Sequence, residues 1–138
     1  MKVKKDKNFF RSDCPISSAL DLFGDKWSLL IIRDIAYFGE RTFKDFSEAA
    51  EGISSSRLAD RLSKLESLGM LTKSNHPTNR KVYLYNLTTK GFDLFPIIAE
   101  YVLWSNKYLY DYISEPAKEF AKMLQSDREG TLNQFMKK

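Results

Sequence analysis

The chain has 138 residues, 43% hydrophobic and 29% charged, a balance that excludes disordered, collagen-like and coiled-coil-only sequences and suits one folded domain rather than two. Six Gly and four Pro are few for an all-β chain that turns about every ten residues, so a mainly α fold is expected. The net charge is +4, with one Cys and one His; this excludes a disulfide framework or a zinc site, and no apolar run approaches the eighteen or so residues of a membrane helix.

The basic start Met1-Lys2-Val3-Lys4-Lys5-Asp6-Lys7 runs into Asn8-Phe9-Phe10-Arg11-Ser12-Asp13, where an export signal would be apolar. A reducing cytoplasm is therefore the expected location, without a membrane. Asp13-Cys14-Pro15 followed by Ile16, Ala19, Leu20 and Phe23 reads as a capped first helix with Pro15 in its first turn, closed by Gly24. Asp25 is expected to cap a second helix, whose apolar positions Trp27, Leu29, Leu30, Ile31, Ile32, Ile35 and Ala36 cover more than one face and mark it as the core helix. After Gly39, Thr42 caps a short third helix through Ala50 that turns Phe43 and Phe46 inward.

The stretch from Ile53 to Gly69 carries the most information. Ser54 is its cap, Ile53 and Leu58 have the spacing of a hydrophobic staple, and Gly69 is its stop. Leu58, Leu62, Leu65 and Leu68 repeat at steps of four and three and define a buried face, while Arg57, Arg61 and Lys64 repeat the same steps along one flank. A two-stranded hairpin follows, Met70 to Ser74 and Lys81 to Leu87, turning through His76-Pro77-Thr78-Asn79-Arg80. A long helix from about Phe92 to Tyr112 carries Phe95, Tyr101, Trp104, Tyr108, Tyr110 and Tyr112 around most of its circumference. Ser114-Glu115-Pro116 breaks it, and a final amphipathic helix is expected over Ala117 to Phe135.

Charge divides unevenly among these elements. Residues 1–52 hold nine Lys/Arg and nine Asp/Glu, residues 53–90 seven and two, and residues 91–138 six and seven, so the middle carries +5. A basic block inside a folded region suits a phosphate-facing surface, though a solvated helix face gives the same count. Three helices, a basic-flanked helix and a hairpin with a cationic tip form the element order of a winged helix-turn-helix. In that fold Ser54, Ser55, Ser56, Arg57, Arg61 and Lys64 are the candidate major-groove contacts, Arg80 and Lys81 the wing contacts, and Lys26 a phosphate contact at a helix start. The expected partner is double-stranded DNA.

The same residues resemble a family, the HxlR-type regulators, small winged-helix transcription factors related in shape to the MarR group. The resemblance runs from Cys14-Pro15 through Gly24-Asp25-Lys26-Trp27-Ser28-Leu29-Leu30-Ile31-Ile32-Arg33-Asp34, Phe38-Gly39, Arg41-Thr42-Phe43 and Phe46. It continues in Gly52-Ile53-Ser54, Leu58, Arg61-Leu62 and Leu65-Glu66-Ser67-Leu68-Gly69, and ends with Tyr85-Asn86-Leu87-Thr88-Thr89-Lys90-Gly91 and Trp104. The chain departs from the family's wing, usually a proline pair followed by Arg-Val-Glu-Tyr, with Arg80-Lys81-Val82-Tyr83-Leu84-Tyr85. The resemblance implies one domain over 1–138, with a DNA-binding core at about 14–91 and dimerisation helices at about 92–136. It further implies a homodimer on a roughly palindromic operator. The aromatic helix independently asks for a partner subunit, with Phe95, Tyr101, Trp104, Tyr108 and Tyr112 as its candidate contacts.

Cys14 is the candidate redox sensor, since some relatives sense oxidants or electrophiles through a cysteine in this region, and a small-molecule or oxidant effector is the corresponding candidate partner. Its alternative is a small residue at a helix cap, just as Trp27 and Trp104 suit core or interface packing and His76 a hairpin turn. With one His, no Gly-rich phosphate loop and no nucleophile elbow, the sequence points away from an enzyme and from cofactors. A winged-helix adaptor limited to protein contacts is the alternative function.

Overall fold

The computed structural model describes residues 9–136; the basic segment ending at Lys7 and the charged Lys137-Lys138 lie outside them. The order is α1 (Pro15–Phe23), α2 (Ser28–Phe38), β1 (Arg41–Thr42), α3 (Phe43–Ser47), α4 (Ser55–Ser67), β2 (Leu71–Asn75), β3 (Tyr83–Leu87), α5 (Thr89–Phe92), α6 (Phe95–Tyr108), α7 (Glu115–Ser126) and α8 (Arg128–Met136). No helix among the described residues is long and apolar enough to cross a membrane.

Capping explains most boundaries. Thr42 and Asp45 form a reciprocal capping box at α3, and Ser54 accepts the Arg57 N–H at the start of α4. Asp25 serves α2 from two residues before its N-cap, Trp27: its carboxylate accepts the N–H groups of Trp27 and Ser28, both at 3.0 Å, and the Ser28 hydroxyl at 2.6 Å. Gly69, at φ 76°, closes α4 in the left-handed conformation that costs other residues strain. Gly24 has φ −81° and is needed for room instead, since a Cβ there would stand 2.5 Å from the Leu20 carbonyl oxygen.

The hairpin is part of a three-stranded antiparallel sheet in the order β1-β3-β2, with Arg41 opposite Tyr85 and Leu71 opposite Leu87. The expected two strands therefore gain a third, too short to have a period of its own. Ile32, Ile35 and Ala36 of α2 belong to one buried core with Leu58, Leu62 and Leu65 of α4, Tyr85 and Leu87 of the sheet and Phe95, Phe120 and Leu124 of the carboxy-terminal helices. Burial of these side chains, at about 25 cal/mol per Å2 of apolar surface, is the main stabilising contribution.

Two expected helices are each split. The aromatic segment restarts at Phe95, where Pro96 in the first turn of α6 needs no hydrogen-bond acceptor, and it ends at Leu109, so Tyr110 and Tyr112 lie beyond the helix. The last segment breaks at Asp127, whose carboxylate accepts the Gly130 N–H and whose carbonyl accepts the Thr131 hydroxyl. Phe95 is a correction to the expected interface set: it is fully buried, stacked on Phe135 at 5.1 Å and edge-on to Tyr37 and Phe120. The helix is apolar on both sides, so periodicity alone could not tell the inward aromatic from the outward ones.

Candidate nucleic-acid interface

Helix α4 is held by one face and open on another. Leu58, Leu62 and Leu65 are buried, whereas Ser54, Ser55, Ser56 and Arg57 at its amino end are exposed. An amino-terminal turn of small hydroxyls plus an arginine has the donors and acceptors that base edges and phosphates require.

Arg57 shares a surface hollow of about 430 Å3 with Asp25, Lys26, Trp27, Asp60 and Arg61. The fold thus brings Lys26, exposed before α2, to the side of the expected recognition helix. Within the hollow Arg61 pairs with Asp60 and, through Nη1, with Asp25 at 3.3 Å. These pairs raise the Arg61 pKa, the Asp60 hydrogen bond most and the Asp25 and Asp60 charges with it, against a smaller opposing effect of burial. For Asp25 burial is the largest influence and pushes its pKa up. The hydrogen bonds from Ser28 and Trp27 and the Arg61 charge together outweigh it and leave the carboxyl below its ordinary value.

The basic block is less available than its charge count implies. Lys64 Nζ donates to the Asp21 carbonyl at 3.3 Å and Lys90 Nζ to the Leu68 carbonyl at 2.7 Å, so both cap helix ends. Arg80 and Lys81 remain exposed at the wing tip, where the Lys81 N–H donates to the Asn79 side chain at 3.1 Å. Lys81 lines a cleft of about 730 Å3 with Thr42, Phe43, Lys44, His76 and Tyr83. Lys44, a cation that sequence reasoning missed, thereby faces the wing from α3; nothing in its local sequence marks it. Lys73 is a second omission and lies 4.1 Å over the Tyr83 ring.

Cys14 is the exposed N-cap of α1, and its thiol makes no cap hydrogen bond. The backbone N–H groups of Ser17, chiefly, and Ile16 still act on the sulfur and hold its pKa below the ordinary value. Among the described residues no group of three or more His, Cys, Asp or Glu could hold a metal ion. In the carboxy-terminal half, α6 carries an apolar stripe in Ile97, Tyr101, Trp104 and Tyr108, all exposed, and Tyr112 is 90% exposed beyond the helix end.

A helix-turn-helix with a sheet wing, an exposed amino end on α4 and cations at the wing tip define a winged helix-turn-helix protein. The profile of the HxlR-like helix-turn-helix family matches residues 22–112, and the chain belongs to that family. A helix-turn-helix transcriptional regulator of Mycobacterium tuberculosis, itself uncharacterized, is 35% identical over 94 residues, covering 68% of this chain and 58% of that protein. The chain thus spans less than two thirds of that relative. The regulator YodB of Bacillus subtilis is 32% identical over 96 residues, covering 69% of this chain and 85% of that protein. The structure of its reduced form superposes with a TM-score of 0.57 at 32% identity, over 70% of this chain and 95% of that one; quinone-bound and diamide-treated forms of YodB have also been solved. A MarR-family regulator structure from Porphyromonas gingivalis aligns with a TM-score of 0.61 at 27% identity, over 81% of this chain and 100% of that one.

Proposed function

We propose that this protein is a cytoplasmic, non-enzymatic transcriptional regulator that binds a roughly palindromic duplex DNA operator as a homodimer. The observation that carries the reading is α4: its leucines anchor it in the core while Ser55, Ser56 and Arg57 stand free at its amino end. In this reading that end enters the major groove, Lys26 contacts an adjacent phosphate, and Arg80 and Lys81 contact phosphates or the minor groove. The chain divides functionally into a DNA-binding core at about 14–91 and dimerisation helices at about 92–136. Two copies paired through their outer helices present two α4 helices to half-sites about one helical turn, roughly 34–36 Å, apart. Membership of the HxlR-like family supports this reading.

The effector is a thiol-reactive oxidant or electrophile acting at Cys14. The exposed, activated thiol supports this, as do the quinone-bound and diamide-treated forms of the related YodB.

Selection of bound duplexes from random DNA tests the function and yields the operator. A shared, two-fold-related motif is the expected result; no enrichment, with binding that ignores salt, favours the protein-only adaptor. Arg57→Ala should then lower affinity for the selected duplex by about 1–3 kcal/mol if the side chain reads a base edge.

A further inference from the structure

The cationic flank of α4 divides by what its side chains touch. Among the described residues the Arg57 side chain has no ion-pair partner, whereas Arg61 and Lys64, one and two turns further on, both end on the corner between α1 and α2. Lys64 takes the Asp21 carbonyl in the last turn of α1, where unpaired carbonyls and the negative end of the helix dipole favour a cation. Arg61 pairs with Asp60 on its own helix and, through Nη1, reaches Asp25 at 3.3 Å, the same carboxylate that satisfies the first N–H groups of α2. Gly24 joins these two points with no space for a side chain, so residues 21–25 form a tight corner clasped by two successive turns of α4.

Helix α1 has little else to hold it. It reaches the core through Ala19, Leu22 and Phe23 at its carboxy-terminal half, while Ile16 and Leu20 are exposed. At its other side the Asp21 carboxylate takes Arg11 Nε at 2.6 Å and the Arg11 N–H at 3.2 Å. A chain of polar ties therefore runs from the segment ahead of Cys14, through Asp21, to Lys64 on α4.

Resting on the DNA-binding reading, we infer that Arg61 and Lys64 are positioning residues: they strap α4 to the α1–α2 corner, so that the placement of α1 sets how Ser55, Ser56 and Arg57 are presented to DNA. Arg57 is the DNA contact of this flank. The arrangement assigns opposite signs to carboxylates and cations. A carboxylate beside DNA repels phosphate, so if Arg61 were a direct contact, neutralising Asp25 would free it and tighten binding. If Asp25 anchors the strap, neutralising it weakens binding even though the protein becomes more positive.

The test uses the full chain and a selected duplex. Asp25→Asn keeps an oxygen acceptor for the α2 N–H groups and removes the charge; Lys64→Met keeps the apolar stem and removes the donor. Each should weaken binding about three- to tenfold, as expected for coupled neighbours, and leave the dependence of log K on log salt at the parental slope. Arg57→Met should instead relax the selected motif at the base pair that this side chain reads, which neither strap variant does. In DNA-free protein both strap variants should speed amide hydrogen exchange in α1 and leave Leu58, Leu62 and Leu65 as protected as in the parent. Unchanged or tighter binding by Asp25→Asn, a slope lowered by about one in Lys64→Met, or unaltered α1 exchange each overturns the strap. Should the parent bind no duplex in a salt-dependent way, the DNA-binding reading fails by itself, and α1 exchange alone then decides: faster exchange supports the strap and unaltered exchange overturns it.

Discussion

Trp104 and Tyr108 stand one turn apart on α6 with ring centroids 5.1 Å apart and planes tilted by 44°, and both remain about three-fifths exposed. Two large rings that touch each other and still face solvent, with Tyr101 and Ile97 continuing the stripe, are costly to leave uncovered. In the proposed reading a second copy of the chain covers them. Light scattering at micromolar concentration should give twice the chain mass. Trp104→Lys with Tyr108→Lys should weaken the dimer by about 2 kcal/mol or more, as for centrally buried aromatic anchors. A monomeric parent would overturn the dimer, and a double variant that dimerises like the parent would remove α6 from the interface.

In the proposed reading the wing meets DNA in a different way. Arg80 and Lys81 project from a turn whose backbone is closed by His76 N–H to Val82 O at 2.9 Å and Val82 N–H to Asn79 O at 3.1 Å, so neither side chain is needed to hold the hairpin. Replacing both with Ala should weaken binding to all sequences alike and lower the salt slope by about one for every phosphate that the wing no longer touches. The operator motif selected by the double variant should match the parental one. A double variant with the parental slope would place the wing off the DNA.

What was legible in the sequence was local. Ser54, Leu58 and Gly69 bound α4 within a few turns of chain, and Thr42 marks α3 in the same way, so cap and period agree with the backbone. What was illegible depended on distant partners or on two-sided apolarity. The Arg61–Asp25 and Lys64–Asp21 ties join residues far apart in sequence, and a flank of three cations reads identically whether it faces DNA or a neighbouring helix corner. Phe95 and Tyr101 both carry aromatic rings on one apolar helix, and only the docking of Phe120 and Phe135 assigns Phe95 to the interior. β1 pairs through two residues, below the length at which alternation can be read.

Acid stability offers a signed test away from the DNA. Arg33 grips both oxygens of Glu51 at 3.0 Å, and this hydrogen bonding, with the Arg33 charge, holds the Glu51 pKa below its ordinary value against a smaller effect of burial. A carboxyl whose folded pKa is lowered contributes stability that is present above the unfolded pKa and is lost as pH falls through the folded one. Glu51→Gln should therefore cost up to about 1 kcal/mol at neutral pH, the pair being partly exposed. The gap should narrow as pH falls through the folded pKa of Glu51 and close once both proteins are uncharged at this position. Asp34, beside them, is shifted the other way: burial raises its pKa despite the Arg33 charge and hydrogen bond. Urea unfolding of parent and variant across this range gives the comparison, and a gap that is constant with pH would exclude the ion pair as its cause.

In the proposed reading Cys14 brings the signal into the same geometry. Its thiol is exposed, sits where the N–H groups of Ser17 and Ile16 favour the thiolate, and lies on the helix whose far end is tied to α4 through Asp21 and Lys64. The chain has one cysteine, so its chemistry is limited to a direct adduct, a mixed disulfide with a small thiol, or a bridge between the two copies in a dimer. Any of these adds bulk at the start of α1 or draws two such helices together, and either change alters the spacing of the recognition helices against half-sites about one turn apart. Diamide or a quinone should therefore release the parent from its duplex, and a thiol reductant should restore binding after diamide. Cys14→Ser should bind DNA like the untreated parent and resist both reagents. Mass spectrometry of the treated parent should find the modification on Cys14 in proportion to the fall in binding, and an equal response of parent and Cys14→Ser would exclude this residue as the sensor.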